Sequence, residues 1–517
     1  MPSKTKPIFI SFVSGIIMGL APAPFNAWYL AWFALVPLWI VIRQQKSLQQ
    51  IAVFALAWGI GYDGLALFWI TGVHPMTWMG VPWLASISIA IFCWIFITLW
   101  GAGVVVAWAV LIGLVSHKIN QSSIVSNLTL ILTGVALWCS LETLWSYTPL
   151  WWPAIAYTQS PHNLVILQLG KISGINTVAA IIIAVNGLLA EAILYWRSSI
   201  KSRGKLLFLF SLVVLIASHF LGYLIYQVPN SQANLAPLKV GIIQGNIANE
   251  IKLFSAGWRQ AIAGYTSGYQ KLARQGVDVV LTPEGALPFY WENILNNSSF
   301  YQAVVAEKVP AWVGAKGRDG NSYTNSLFTL RAGKTYSRYD KYKLVPLGEY
   351  IPFESVLGKT IDRLSPLNAH LAAGKADQIF DTPFGKAIVA ICYESAFSQH
   401  FLRQAQAGGE FIITASNNAH YSKTMPTQHH AHDVMRAIES DRWAARATNT
   451  GYSAIVDPHG NTLWISEINR YAIHADTIYR RRNKTLYVRW GDWLTPTLCF
   501  TCILGLFLNQ KYWARTK

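Results

Sequence analysis

A thiol, an ammonium and a carboxylate stand at the ends of apolar, strand-like runs in this chain. Cys392 closes GKAIVAICYE, Lys341 sits in YDKYKLVPLGEY and Glu284 follows the apolar part of VDVVLTPEG. A thiolate is the strongest common side-chain nucleophile. A carboxylate can take the thiol proton as general base, and a lysine beside the thiol favours thiolate and stabilises an oxyanion as it forms. The set suits acyl transfer through a thioester. Each member alone is ordinary, because Glu and Lys are mostly solvated surface and a Cys after a strand is mostly buried filling. Cys392 is distinguished among the five cysteines by lying outside any apolar run of membrane length, whereas Cys93, Cys139, Cys499 and Cys502 lie inside such runs. That leaves no disulfide framework. The CxxC of Cys499 and Cys502 lacks the further ligands that a zinc site needs, and no metal or other cofactor is expected.

The elements that must position these groups begin near Leu238. LKVGIIQGN, VDVVLTPEG, PAWVGAK, SLFTLRAGK, GKAIVAICYE, EFIITASNN and SAIVDPHG read as strands ending in turn residues. Their near-continuous Val/Ile content predicts strands covered on both faces, hence an α/β layered domain. Gln260–Arg274 and Thr427–Thr448 are the clearest intervening helices.

The rest of the chain is membrane-like. Of its 517 residues 53% are hydrophobic and only 13% charged, and it carries 23 tryptophans, a residue that concentrates at bilayer interfaces. Mean hydropathy is +0.32. Apolar runs lie near Pro7–Ala21, Trp28–Ile42, Ile51–Val73, Trp83–Leu114, Leu128–Trp145, Ile175–Trp196, Leu206–Val228 and Leu494–Leu508. A crossing helix needs about 20 residues, so the first two runs must borrow flanking residues. The fourth is too short for two crossings and reads as one tilted helix. Eight spans result, dividing the chain into 1–229 with seven spans, a hydrophilic 230–490, and 491–517 with the eighth. Ala21-Pro22-Ala23 offers small residues, but Pro24 and the many later spans argue against a cleaved signal peptide.

The net charge of +17 does not point to nucleic acid, because the basic residues form no DNA-reading module. They flank spans instead: Lys4 and Lys6, Arg43 and Lys46, Lys118, then Arg197, Lys201, Arg203 and Lys205, and finally Lys511, Arg515 and Lys517. The loops after spans one, three and five carry no Lys or Arg before Lys171. The positive-inside rule then puts both termini in the cytoplasm and 230–490 on the opposite face, the periplasmic side of a bacterial inner membrane. Asp63, Glu142 and Glu191 fall in or beside apolar runs, where carboxylates are functional candidates. The last two sit near span ends and are equally readable as solvated. Arg480, Arg481, Arg482, Lys484 and Arg489 precede the last span and suit either lipid phosphates or solvent.

Glu284, Lys341 and Cys392 in this order and context resemble the nitrilase superfamily. With the membrane part, the whole chain resembles its membrane-bound branch, the apolipoprotein N-acyltransferase family. The matching pieces are VGIIQGNI (Val240–Ile247), LTPEGALP (Leu281–Pro288), SYTNSL (Ser322–Leu327), YDKYKLVPLGEYIPFES (Tyr339–Ser355), ICYES (Ile391–Ser395), RATNTGYSAIVDPHG (Arg446–Gly460) and RWGDW (Arg489–Trp493). The resemblance implies an αββα sandwich with Glu284 as base, Lys341 as oxyanion stabiliser and Cys392 as nucleophile. It also implies supporting roles for Glu349, Tyr393, Glu394, Asn325 and Arg446. The implied reaction moves the sn-1 acyl chain of a phospholipid, typically phosphatidylethanolamine, to Cys392. From there the chain passes to the amino group of a diacylglyceryl-cysteine at the start of an apolipoprotein, the last step of bacterial lipoprotein maturation. The expected partners are those substrates and membrane lipid, with no nucleic acid and a monomeric enzyme.

Two departures from the family pattern stand out. SNNAHY replaces SNDAWF, so that Asn418 stands for an acid and His420 for a tryptophan, and Leu253 and Phe254 stand where a tryptophan usually follows QGN. His420, His429, His430 and His432 form a local cluster with no acid or cysteine to complete a metal site, and are expected on a polar loop or helix surface. Two other functions compete with acyl transfer: a membrane-tethered amidase in which water resolves the thioester, and a transporter or receptor with a degenerate nitrilase domain.

Overall fold

The structure is a computed structural model that describes residues 5–119, 123–198, 200–230, 236–346, 348–350, 371–419 and 421–516, the side chains of 297 and 509–516 aside. The chain forms two compact units. One comprises Met1–Thr71, Ile91–Val228 and Trp490–Lys517, and the other Gly72–Ala90 and Pro229–Arg489.

In the first unit, every apolar run of the sequence falls on helix. Among the described residues four helices are long and apolar enough to cross a membrane: Trp83–Lys118, Ile124–Ser146, Ile175–Trp196 and Lys201–Tyr226. Thr5–Gly19, Val36–Gln44, Leu48–Ala66 and Leu494–Thr516 are further apolar helices. The fourth run is one continuous helix of 36 residues, as its length predicts. Helices Thr5–Gly19 and Leu48–Ala66 meet through glycine: a Cβ on Gly15 would lie 2.0 Å from the Trp58 carbonyl oxygen, and one on Gly61 2.5 Å from that of Phe12. Such close backbone approach is how helices pack where no hydrophobic effect separates them from lipid.

The expectation that tryptophan marks the interfaces fails for several residues. Trp39, Trp58, Trp108 and Trp138 are fully buried and interlock edge to face, with ring centroids 5.1–6.5 Å apart. Three of their N–H groups find acceptors inside: Trp58 donates to the Ala34 carbonyl, Trp108 to that of Gly134 and Trp39 to Glu191. Glu191 is not solvated either. It pairs with Arg43 at 2.5 Å, both side chains being buried. Arg43 therefore belongs to the interior rather than to a charged loop. Glu142 is likewise buried, accepting the Ile155 N–H at 2.8 Å. In the RWGDW segment, Asp492 accepts from Asn176 at 2.5 Å and Ser173 at 3.1 Å, which ties the start of the last helix to its neighbours.

The second unit is a four-layered α/β sandwich. One sheet has the order β12-β1-β2-β3-β4-β5: Pro237–Gln244 (β1), Val279–Leu281 (β2), Ala311–Asp319 (β3), Ser322–Arg331 (β4), Lys334–Asp340 (β5) and Ala472–Tyr479 (β12). The other has the order β11-β10-β9-β8-β7-β6: Phe380–Thr382 (β6), Gly385–Ile391 (β7), Phe411–Ser416 (β8), Ala444–Thr448 (β9), Ala454–Val456 (β10) and Thr462–Ile465 (β11). The centres, β1-β2-β3 and β7-β8-β9, are parallel, and the flanks antiparallel.

Strand alternation builds the core. Leu238, Val240 and Ile242 of β1 face Ala387, Val389 and Ile391 of β7 across the sandwich. Ile243, Val280 and Val313 turn outward onto the helices Ser255–Arg274 and Ser299–Glu307. Helices Ser398–Gln406 and Thr424–Ser440 cover the other sheet.

The helix expected over Thr427–Thr448 is shorter than its sequence pattern. It stops at Ser440 because Asp441 takes a left-handed conformation (φ +54°), and Ala444–Thr448 becomes β9 between β8 and β10. Tertiary pairing overrides the helix propensity of the alanines there. The basic run is solvated in part: Arg482, Lys484 and Arg489 are exposed, whereas Arg480 and Arg481 are half-buried. Arg480 donates to the Phe384 carbonyl, Arg481 pairs with Asp441 and Arg482 with Glu410, and Lys484 donates to the Gln406 carbonyl.

Candidate active site

The three groups singled out by the sequence all follow strand ends, where open α/β sheets bind ligands. Glu284 lies in the turn after β2. That turn rests directly on β3, because a Cβ at Gly314 would lie 2.0 Å from the Pro283 carbonyl oxygen. Gly285 completes it with φ +53°, a conformation costly for other residues. Lys341 directly follows β5, its N–H donating to the Asn325 carbonyl at 2.8 Å. Cys392 directly follows β7 with φ +53°. A non-glycine residue there is strained, and such strain concentrates at functional sites. Parallel pairing of Ile391 with Ala415 sets Cys392 beside the end of β8, with Sγ 3.8 Å from the Asn417 carbonyl oxygen.

The charged side chains converge. The Lys341 ammonium lies 3.1 Å from Glu284 Oε1 and 2.8 Å from Glu349 Oε1. The Asn325 amide donates to the same two carboxylates at 2.6 and 3.3 Å, and the Val345 N–H to Glu349 Oε2 at 2.8 Å. Lys341 is 1% exposed and Cys392 7%. A cavity of about 200 Å³ opens beside them, lined by Glu284, Asn325, Lys252, Tyr323, Asn417 and Trp78 among others.

Electrostatics sort the roles. Burial pushes the Cys392 thiol up to about 12, with the Glu284 charge adding to the effect and Lys341 opposing it. The resting nucleophile is therefore a neutral thiol and needs a base. Burial would also raise Glu284, but the ammonium groups of Lys341 and Lys252 outweigh it and hold this carboxyl below its ordinary value. Glu349 goes the other way: burial raises it, Lys341 offsets this in part, and the Glu284 charge adds to the rise. Burial opposes the Lys341 charge, yet the two carboxylates raise it well above its usual value. One carboxylate is thus held ready to accept a proton beside a permanently charged ammonium.

Glu394 and Tyr393, neighbours of the thiol in sequence, differ in position. Glu394 is fully buried and accepts from the N–H groups of Ile391 (2.7 Å), Tyr342 (2.6 Å) and Lys343 (3.1 Å) and from the Tyr339 hydroxyl (2.9 Å). It fastens the Cys392 turn to the segment that carries Lys341. Tyr393 is half-buried and packs edge-on against Phe397. Arg446 stands outside the cluster. On β9, it pairs with Asp433 of helix Thr424–Ser440 and reaches Asn418 at 3.5 Å.

The histidine cluster is not on the surface. His429, His430 and His432 are buried. His429 Nε2 lies 2.8 Å from the Cys392 carbonyl oxygen and His430 Nε2 2.9 Å from the Thr462 hydroxyl. Their helix faces the β-sheet through the side that the sequence reading assigned to solvent. His420 lies outside the described residues.

Three participants escaped the sequence reading. Asn449 clasps Ile247 through both N–H (2.9 Å) and carbonyl (2.6 Å), pinning the QGN segment. Tyr421 is half-buried, and its hydroxyl is raised, first by burial and next by the charge of Cys392. Lys252 lines the cavity. Of these Asn449 carried a signal as part of the matched RATNTG stretch and Tyr421 as the last residue of SNNAHY, whereas Lys252 carried none.

The carbon-nitrogen hydrolase family matches residues 239–475, and the apolipoprotein N-acyltransferase N-terminal domain family residues 14–188. The chain is 55% identical over 497 residues to the apolipoprotein N-acyltransferase of a Nostoc species, covering 95% of this chain and 97% of that one. It is 51% identical over 519 residues to the apolipoprotein N-acyltransferase of a Synechocystis species, covering 96% and 100%. Among solved structures, an amidase from Nesterenkonia sp. AN1 aligns over 50% of this chain and 95% of its own, at 13% identity and a TM-score of 0.37.

Proposed function

The chain belongs to the apolipoprotein N-acyltransferase family, and on that premise we propose which residues carry the transfer and on which side of the membrane they do so. The enzyme moves an acyl chain from a phospholipid, through a cysteine thioester, to the N-terminal amino group of a diacylglyceryl-cysteine apolipoprotein. The observation that carries the residue assignment is the convergence of Glu284 and Glu349 on the Lys341 ammonium, in the unit whose sole cysteine is Cys392.

In the first half-reaction Cys392 Sγ attacks the sn-1 ester carbonyl of the donor, and Glu284 takes the thiol proton as the S–C bond forms. Because the thiol is pushed up to about 12, proton removal accompanies attack rather than preceding it. Lys341 stabilises the oxyanion, acting from a water-excluded position where charge is most effective. Collapse breaks the ester C–O bond, and Glu284 returns its proton to the departing lysophospholipid oxygen. In the second half-reaction the neutral α-amine attacks the thioester, Glu284 accepts an amine proton, and Cys392 leaves and is reprotonated. Glu349 and Asn325 hold Lys341 and Glu284 in register. Glu394 fastens the thiol turn, Tyr393 shapes its rim, and Arg446 supports the wall behind it. Phosphatidylethanolamine is the proposed donor, and the enzyme acts as a monomer without a cofactor. Mass spectrometry of a lipoprotein N-terminus tests the activity: a third acyl chain is expected with this protein and not without it.

The eight-span arrangement completes the reading, with 1–229 and 491–517 in the inner membrane, both termini cytoplasmic, and 230–490 periplasmic. Its support is the alternation of basic loops, which Lys46 sustains after the second span although Arg43 is engaged by Glu191. A reporter fused after Arg197 should be cytoplasmic and one fused near Asn230 periplasmic. Both on one side would remove the seventh span and overturn the orientation.

A further inference from the structure

Lys252 is a buried lysine that the acyl-transfer mechanism above does not use. It ends a single helical turn, Asn249–Lys252, directly after the QGN segment that Asn449 pins. It is 8% exposed and lines the cavity with Glu284 and Asn325. Its ammonium donates to the main-chain carbonyl of Glu284 at 3.2 Å, and a Cβ on Gly285 would come within 3.6 Å of it. The Lys341 ammonium is shared between two carboxylates, whereas the hydrogen bond of Lys252 goes to a carbonyl. Its charge, which no carboxylate contacts among the described residues, therefore acts on the site while it is protonated.

We propose that Lys252 is a positioning residue for acyl transfer, clamping the Pro283–Gly285 turn through the Glu284 carbonyl and supplying the positive charge that holds the Glu284 side chain as a ready base. The proposal rests on Glu284 acting as that base. Two independent features support it. The hydrogen bond fixes the backbone of the residue whose side chain must reach the thiol proton, where small displacements are costly. The charge of Lys252 is also one of the two that pull Glu284 below its ordinary value. Burial in turn lowers Lys252 to about 8, against the opposing pull of Glu284 and Cys392. The other titratable and charged groups of the site are Lys341 and Glu349, Lys316 on β3, Tyr323 on β4, Tyr421 and, on the same helical turn, Glu250. The Cys392 and Tyr421 side chains are raised far above 8 and Lys341 stays charged, so the groups of the site that can change charge in alkaline solution are Lys252 and Lys316, whose ammonium burial also lowers, and only Lys252 bonds the Glu284 turn.

The test is the pH profile of thioester formation in single turnover, using the full-length protein and phosphatidylglycerol, whose headgroup does not titrate between pH 4 and 10. The wild-type rate should fall above about pH 8 as Lys252 loses its proton. Lys252→Met should lower the neutral-pH rate about ten- to a hundred-fold. It should also abolish the alkaline fall and move the acid limb up by about one unit, because Glu284 loses a neighbouring cation. Lys252→Arg should restore the acid limb and push the alkaline fall out of range, since guanidinium stays charged. A purely structural lysine would lower the rate at every pH and move neither limb. A wild-type profile flat to pH 10, or limbs unmoved in Lys252→Met while Glu284→Gln is inactive, overturns the role of Lys252 alone. Full activity in Glu284→Gln overturns the assignment of the base and this proposal with it.

Discussion

Cys392→Ala is expected to abolish both half-reactions, leaving neither lysophospholipid release nor an acyl-protein adduct. The expected loss is on the order of a million-fold, the scale seen when a covalent catalyst loses its nucleophile. The fold should survive. The substitution removes only Sγ, whose hydrogen bond among the described residues is a weak 3.8 Å contact to a carbonyl, and alanine is no worse than cysteine at φ +53°. Intact-protein mass spectrometry after incubation with phospholipid gives the readout: wild type gains one hydroxylamine-sensitive acyl mass and the variant none. Cys93→Ala and Cys499→Ala should keep the adduct, since both residues lie in apolar helices of the first unit. Cys392→Ser should turn over poorly, because a serine hydroxyl is far less acidic than a thiol already raised by burial. An adduct persisting in Cys392→Ala would exclude the mechanism.

Glu284→Gln is the second large effect. The glutamine keeps shape and can still bond Asn325, but it cannot accept a proton. Thioester formation should slow by roughly a hundred- to ten-thousand-fold, the usual worth of a general base. Glu349→Gln should retain more of the first half-reaction. Glu349 is the carboxylate raised by burial, and it accepts the Val345 N–H as well as the Lys341 ammonium. Its placement suits orienting the lysine or the incoming amine, so its amide variant is expected to accumulate acyl-enzyme. The acid side of the wild-type profile has a definite sign. Glu284 is held below its ordinary value, so the base form persists until the pH falls beneath the usual carboxylate range, and only then is activity lost. Single-turnover assays that follow lysophospholipid release separately from lipoprotein acylation distinguish the two glutamates. Equal loss of the first step in both variants would refute this division of labour while leaving the thioester intact.

Much of the fold was legible because the two periodicities are strong. Unbroken apolar runs coincide with helices of the first unit, and short Val/Ile runs ending in turn residues coincide with β1, β2, β3, β4, β7, β8 and β10. Strands β5, β6, β9, β11 and β12 carried weaker patterns and form because a neighbouring strand offers hydrogen bonds. β9 even lay inside a predicted helix. The histidines failed for a related reason. A polar residue on a helix reads as exposed unless its buried partner is known, and the partners of His429 and His430 are 37 and 32 residues away.

The chemical types and their order are written in the sequence: one thiol outside the apolar runs, a carboxylate and an ammonium each at a strand end, and basic loops that alternate along the chain. Side-chain chemistry, hydropathy and periodicity are local properties and survive in one dimension. Which groups meet follows from packing. It joined Glu284 to Glu349 through one lysine, set Glu394 as a fastener between two loops, withdrew Arg43 from a loop into an ion pair with Glu191, and brought Lys252 under the Glu284 carbonyl. Each of these juxtapositions depends on burial, which removes water as a competing partner. Burial, like the proton affinities it shifts, is a property of the packed chain and not of any segment of it.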